Sequence, residues 1–310
     1  MTTILLCNSD TLAIPAALFL HSKGMLAAVV IPDRSAAILQ NSLEQAQIPA
    51  NKIYVVSKKN MAGTLSQLVT DTAATLIAAL TFPWRLPDTV LSLPSQGCIN
   101  FHFGLLPRYQ GADPVFWQLR NGEKEGGITV HRMTSEIDAG PVLFHSSLPI
   151  MPGETYGIHC ERLGQAAIPA MNEVITRLQN NTAVAVAQER TAAAYYHAPD
   201  AQALTIQWQQ QSAAEIIQLV NACNPRYGGA ATLFRDTQVT LLEVLPVEVN
   251  SPPANVLPGT IVHADLLYGI IAACADHQYI RINIVQLREG YLSGSKLVQM
   301  GWRAGERFIS

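Results

Sequence analysis

Through its first 180 residues the chain alternates short apolar runs with longer amphipathic stretches, and that rhythm admits few folds. Ile4 to Cys7 reads as a buried strand, followed by a helix from about Leu12 to Ser22. Leu26 to Ile31 is a second strand with a helical stretch through Gln47 behind it. Ile53 to Val56 is a third strand, and Leu65 to Thr70 belongs to another helix. Ala74 to Phe82 is strongly apolar, as a central strand must be when both of its faces are covered. Such alternation implies an α/β domain with a mostly parallel sheet and helices on both faces. Ligands on these sheets bind beyond the carboxyl ends of the strands. Chemistry is therefore expected near Phe82 and near Asn100 to His102, where apolar strands run out into polar loops.

The rest of the chain reads differently. Thr155 to Gln179 is a long helix-like segment in which Pro169 predicts a kink. It closes a first domain over residues 1–188, and the patternless, Pro199-containing stretch 189–204 reads as a linker. A second domain, 205–310, opens with a short helix, Ala213 to Ala222, whose Ile216, Ile217, Leu219 and Val220 form an apolar face. Short alternating runs follow at 231–234, 239–244, 259–263, 269–273 and 279–287, with the turn spacing of a small all-β barrel or sandwich. Two domains suit a chain of 310 residues, and 49% hydrophobic against 14% charged residues gives each a core.

Composition also excludes some partners. Up to residue 188 there are 12 basic and 13 acidic side chains, and after it 8 and 10, so neither half has the basic excess that nucleic-acid backbones call for. Cys7, Cys98, Cys160, Cys223 and Cys274 are odd in number and form no CxxC pair, which suggests buried thiols in a reducing compartment and no metal cluster. No apolar run approaches the roughly 18 residues of a membrane span. A soluble, cytoplasmic protein is expected.

The richest segment runs from Cys98 to Gly111. Asn100 and His102 alternate at period two, so on an extended strand end both face one side. There an amide can donate to a developing oxyanion while an imidazole handles the proton of an attacking amine. Further on, Asp138 precedes Ala-Gly-Pro in a turn, and a carboxylate near an imidazole would orient it and favour its charged form. On the residues alone a solvated histidine at a strand end weighs as much, and for Asp138 a plain turn carboxylate weighs more.

The ordered set resembles the folate-dependent formyltransferases, which act on methionyl-tRNA, glycinamide ribonucleotide or amino sugars. Asn100-x-His102, Leu105-Leu106-Pro107, Gly111 and Thr129 to Met133 leading into Asp138 carry the likeness, and His102 and Asp138 stand 36 residues apart, as in that family. Phe82 to Pro87 falls where the family wraps a loop around the pterin ring. Ile206-Gln-Trp208, Asn224-Pro225, Pro258-Gly259 and Leu287 to Gly290 resemble landmarks of the tRNA enzymes' second, barrel domain. The resemblance implies a Rossmann-like first domain, an OB-like barrel after it, and formyl transfer from N10-formyltetrahydrofolate to a primary amine without a metal. It implies Asn100, His102 and Asp138 as catalytic residues, with Asp138 raising the pKa of His102. Phe82, Trp84, Leu86, Pro87 and Ile137 would bind the formyl donor.

Departures from the family concern the acceptor. Ile31 to Ala36 runs directly into a helix with only Arg34 basic, where the tRNA enzymes insert a basic loop. Gly104 replaces a serine usual in those enzymes, suggesting a looser acceptor pocket. Asp113 replaces a small apolar residue and reads either as a partner for the acceptor's ammonium or as the cap of a helix starting at Pro114. Asn8 and Ser9, in a loop without glycine, can hydrogen-bond a polar small molecule but offer no phosphate cradle. The expected acceptor is a small amine: an amino sugar, an amino acid or a carrier-bound amine. Methionyl-tRNA is the alternative, and a hydrolase or a non-transferring folate binder a third reading. His131 and Trp117 read as framework residues.

Overall fold

The computed structural model describes residues 1–250 and 255–310. It divides into two compact units, one of Met1–Pro114, Glu125–Pro149 and Cys160–His197, the other of Val115–Lys124, Ile150–His159 and Ala198–Ser310.

In the first unit the chain runs β1 (Thr3–Cys7), α1 (Asp10–Ser22), β2 (Leu26–Pro32), α2 (Ala36–Gln45), β3 (Ile53–Val56), α3 (Met61–Thr72), β4 (Leu76–Leu80), α4 (Asp88–Leu91), β5 (Cys98–His102) and β6 (Gln110–Gly111). After α5 (Pro114–Arg120), which from Val115 on belongs to the second unit, come β7 (Glu125–Arg132), β8 (Val142–Pro149), α6 (Tyr156–Gln179), which joins the first unit from Cys160, and β9 (Tyr195–Tyr196). Seven strands form one sheet in the order β3-β2-β1-β4-β5-β7-β8. The pairs from β3 to β5 are parallel, and β7 and β8 add antiparallel strands at one edge. Every residue of β1 and β4 is buried, which is why both read as unbroken apolar runs. Period two then divides them between faces: Ile4, Leu6, Ile77 and Ala79 pack in one core with Leu65 and Leu68 of α3. At the outer edge β8 alternates half-buried and exposed positions from Phe144 to Pro149, as a strand with one wet face does.

The order of strands reverses between β1 and β4, which places a crevice at their carboxyl ends. Pro169 lies inside α6, which is assigned as helix from end to end. Part of the expected linker belongs to the first unit: β9 pairs in parallel with β6, so Tyr195 and Tyr196 are framework rather than tether.

The second unit contains α7 (Ala213–Cys223), β10 (Ala230–Phe234), β11 (Thr237–Val247), β12 (Ile261–Asp265), β13 (Gly269–Ala273), β14 (Tyr279–Leu287), β15 (Gly290–Ser293) and α8 (Gly294–Gln299). Its antiparallel sheet has the order β10-β11-β14-β13-β12, with β15 on β14. Residues 305–309 bond to Ile261 and Gly259 beside β12 and to Leu233 of β10, so the tail bridges both edge strands. Phe308 is anchored there against Trp208, Phe234 and Trp302. Edges bridged by a paired tail are protected from pairing with other chains. All five cysteines are buried, and burial pushes the thiols of Cys7, Cys98, Cys223 and Cys274 up to about 12. Among the described residues no helix is long and apolar enough to cross a membrane.

Candidate active site

The end of β5 presents Asn100 and His102 on one face, and antiparallel pairing with β7 sets His131 opposite Asn100 and Thr129 opposite His102. Thr129 stitches the following turn: its hydroxyl donates to the Gly104 carbonyl at 2.7 Å and accepts from the Leu106 N–H at 3.1 Å. The chain then returns so that the Tyr109 carbonyl lies 2.7 Å from His102 Nε2, and the Gly111 N–H donates to Asp138 Oδ2 at 3.0 Å. Gly111 has φ +97°, and a side chain there would collide with the Tyr196 carbonyl. No other residue suits that position. Asp138 itself sits at φ +51°, a backbone region that aspartate tolerates better than most residues. Gln188 fixes its loop, donating from Nε2 to the carbonyls of Asp138 and Gly140 at 2.7 and 2.8 Å.

Three side chains therefore surround one oxygen. Asp138 Oδ1 lies 3.4 Å from Asn100 Nδ2, 3.6 Å from His102 Nδ1 and 3.5 Å from His131 Nε2. The expected trio converges, and His131, read from sequence as framework, joins it. A carbonyl 2.7 Å from His102 Nε2 requires a proton on that nitrogen, so the neutral ring keeps its lone pair on Nδ1, towards Asp138. His131 Nδ1 donates to the Arg132 carbonyl at 2.9 Å, and its Nε2 lies 3.2 Å from Asn100 Nδ2 and 3.5 Å from Asp138 Oδ1.

Burial lowers the pKa of His102, and this outweighs the opposing pull of Asp138. Asp138 does pull the value up, as expected, but the net shift is downward, because a ring only 5% exposed loses more by leaving water than it regains from one carboxylate. Asp138 behaves oppositely. Burial by itself would raise its pKa, but His102, His131 and the Gly111 N–H bring it to about 2. The resting arrangement is a neutral imidazole beside an ionised carboxylate. It can accept one proton at Nδ1, with the counter-charge already in place.

The other expected residues lie around this cluster. Phe82 and Trp84, in the loop after β4, meet edge to face at 5.4 Å and are partly buried against the core. They form an aromatic wall fit for a flat heterocycle. Leu86 is buried in that core, so its side chain supports the wall from behind, whereas Pro87 is exposed and Ile137 is 43% exposed. Arg85 of the same loop donates to the Ser135 carbonyl, tying it to the Asp138 loop.

Asn8 and Ser9 have local duties. Ser9 Oγ accepts from the Leu12 N–H as the cap of α1, and Asn8 Oδ1 accepts from Ser35 Oγ at 2.7 Å. Asp113 directly precedes α5 but has φ +52°, whereas a capping residue is extended, which argues against the cap reading. At Gly104 a Cβ would stand 3.0 Å from His102 Nε2 and 2.9 Å from Pro114 Cβ. Its absence makes room for the His102 ring, a different reason from the looser acceptor pocket expected. Among the described residues no group of three His, Cys, Asp or Glu side chains could hold a metal ion.

A lone-pair imidazole, an ionised carboxylate and an amide at the mouth of a parallel sheet equip a protein for transfer between a carbonyl carbon and an amine. Residues 13–175 match the formyl transferase family and residues 200–297 match the formyl transferase C-terminal domain. The chain belongs to the formyl transferase family.

Among its relatives, a methionyl-tRNA formyltransferase of Acidithiobacillus ferrooxidans is 30% identical over 278 residues, covering 88% of this chain and 86% of the relative. One from Pseudomonas syringae is 34% identical over 215 residues, covering 69% of this chain and 66% of that protein, slightly under two thirds of its length. Among solved structures, the N-formyltransferase of Helicobacter canadensis with folinic acid and dTDP-3-aminofucose superposes with a TM-score of 0.67 at 16% identity, covering 91% of this chain and 99% of that one. HypX of Aquifex aeolicus with tetrahydrofolic acid gives 0.64 at 15% identity, covering 96% of this chain and 47% of its own. At such identities these structures speak for the fold.

Proposed function

We propose that the protein transfers a formyl group from N10-formyltetrahydrofolate to a primary amine, with His102 Nδ1 as the proton acceptor. The observation that carries this is the lone pair of a buried neutral imidazole facing an ionised Asp138 at 3.6 Å. The formyl donor supplies an electrophilic carbon, and Phe82 and Trp84 would flank its ring. His102 takes the proton that the amine loses on attack, and the resulting imidazolium is held by Asp138. The same proton then serves the departing nitrogen. Asn100 lies beside this path, with its Nδ2 directed in the resting state at His131 and Asp138. For it to donate to the oxyanion, one of those contacts must exchange for the substrate oxygen.

For the acceptor, the sequence relatives favour methionyl-tRNA, since their names carry that activity and the match includes the second domain. One observation favours a small amine instead. Between β2 and α2 the chain makes only a short turn, Asp33–Ser35, and Arg34 is its single basic residue. An amino sugar fits this second reading: one solved structure of similar fold is named with dTDP-3-aminofucose, and another, a sugar N-formyltransferase, with dTDP. Tetrahydrofolate release should be followed with methionyl-tRNA, with amino sugars and with no acceptor. Transfer to tRNA that weakens steeply with salt supports the first reading. Transfer to amino sugars alone supports the second, and acceptor-independent release would replace transfer by hydrolysis.

A further inference from the structure

The aromatic residues of β9 have no part in the chemistry above. Tyr195 is 50% exposed, and its ring meets the His197 ring at 5.1 Å and 69°, so the two planes form a corner. The position of this corner is set by the active site. Parallel pairing of β9 with β6 sets Tyr195 opposite Gln110 and Tyr196 opposite Gly111, and the Tyr195 ring reaches across to Gly111, where a Cβ would stand 3.0 Å from its Cζ. The N–H of that same glycine holds Asp138 Oδ2. One residue thus separates the proton-handling cluster from an open aromatic face. Below it, Tyr196 stacks on Tyr109 at 5.1 Å and 11°, and Tyr109 supplies the carbonyl that holds His102, so the ribbon has a firm base. A tyrosine half open to solvent beside a reacting centre is poorly explained by core packing. It offers a flat apolar surface with a polar rim, which suits another planar ring.

We infer that Tyr195, with His197 at its edge, is a stacking subsite for a nucleobase carried by the acceptor. The inference rests on the proposed formyl transfer and refines its substrate class. Both acceptor readings admit it. An aminoacyl-tRNA ends in an adenosine that bears the amino acid, and a nucleotide-linked amino sugar carries a base at its other end. The subsite recognises the base, whichever molecule brings it.

The test has two arms. In the first, adenosine monophosphate and thymidine diphosphate are each titrated into the full-length protein without formyl donor. At least one should bind, about tenfold more weakly in Tyr195→Ala and near wild-type strength in Tyr195→Phe, as loss of one stacked ring predicts. In the second arm, kcat/KM is compared for an amine that carries a base and for the same amine without one. Tyr195→Ala should lower the ratio about tenfold, mainly through KM. The nucleotide that responds identifies the source. If neither nucleotide binds in a Tyr195-dependent way, or the kcat/KM ratio is unchanged, the inference is overturned. Because the first arm needs no turnover, its outcome stands apart from whether formyl transfer is observed.

Discussion

Two strand ends on one sheet carry polar side chains and put them to different uses. At the end of β1, Ser9 caps α1, Asn8 Oδ1 accepts from Ser35, and the Asn8 N–H donates to Thr81 Oγ1 at 3.3 Å. These contacts settle backbone groups and a neighbouring turn. At the end of β5, Asn100, His102 and His131 gather instead around one carboxylate oxygen, within 3.4–3.6 Å. A polar strand end on an α/β sheet therefore does not mark chemistry by itself. What distinguishes the second is that its side chains answer one another across the sheet rather than the chain beside them.

The contrast can be broken by substitution. Asp138→Asn should have the largest effect, because it removes the counter-charge awaiting protonated His102. The loss in kcat is expected at about 10²–10⁴-fold, with the fold retained by circular dichroism. A loss below tenfold would make Asp138 a turn residue after all. His131→Phe should come next. It frees Asn100 from its hydrogen bond and is expected to lower kcat about tenfold, since a net hydrogen bond contributes about 1 kcal/mol. An unchanged kcat would return His131 to the framework.

The pH dependence should be milder. His102 is depressed by burial, so transfer should stay level down through 6.5, the ordinary histidine value, and fall only below it. An acid limb centred above 6.5 would show that Asp138 dominates burial. Stability follows the same sign. Asp138, held near 2 against 3.8, contributes on the order of 2 kcal/mol that is present above 3.8 and lost as pH falls through about 2. The depressed His102 adds to this, since it favours folding above 6.5 and opposes it below. Smallest of all is Ser9→Ala, expected to cost about 1 kcal/mol of stability through the lost cap. A raised acceptor KM in that variant, in place of a lowered melting temperature, would move Ser9 into the site.

How much of this could be read from the chain depends on the range of the interaction. Strands were legible because an apolar run or an alternating one needs no partner to be recognised: β13 is buried throughout and β14 alternates, and both, with β3, span the residues expected. Asn100 and His102 were legible through their period of two, and Asp138 through the turn residues after it. His131 was not, because a single histidine in a strand carries no local signal. Only its antiparallel register with Asn100 reveals its role. The same applies to Gln188, 50 residues from the carbonyl it holds, and to β9, whose two residues are too few for any periodicity. The net direction of the His102 shift was not legible for a related reason. A neighbouring carboxylate can be inferred from sequence, whereas the depth of burial that outweighs it belongs to the folded sheet. In the second unit, β15 and α8 escaped notice because a four-residue strand and a six-residue helix lie below the length at which periodicity speaks.

The central claim is that a neutral His102 takes the amine's proton during formyl transfer. Single-turnover transfer from N10-formyltetrahydrofolate, with wild type and a folded His102→Ala variant under saturating acceptor, tests it most directly. Formylated amine should form with the wild type and fall by about 10²–10⁴-fold with the variant. Comparable rates from the two proteins would contradict the account.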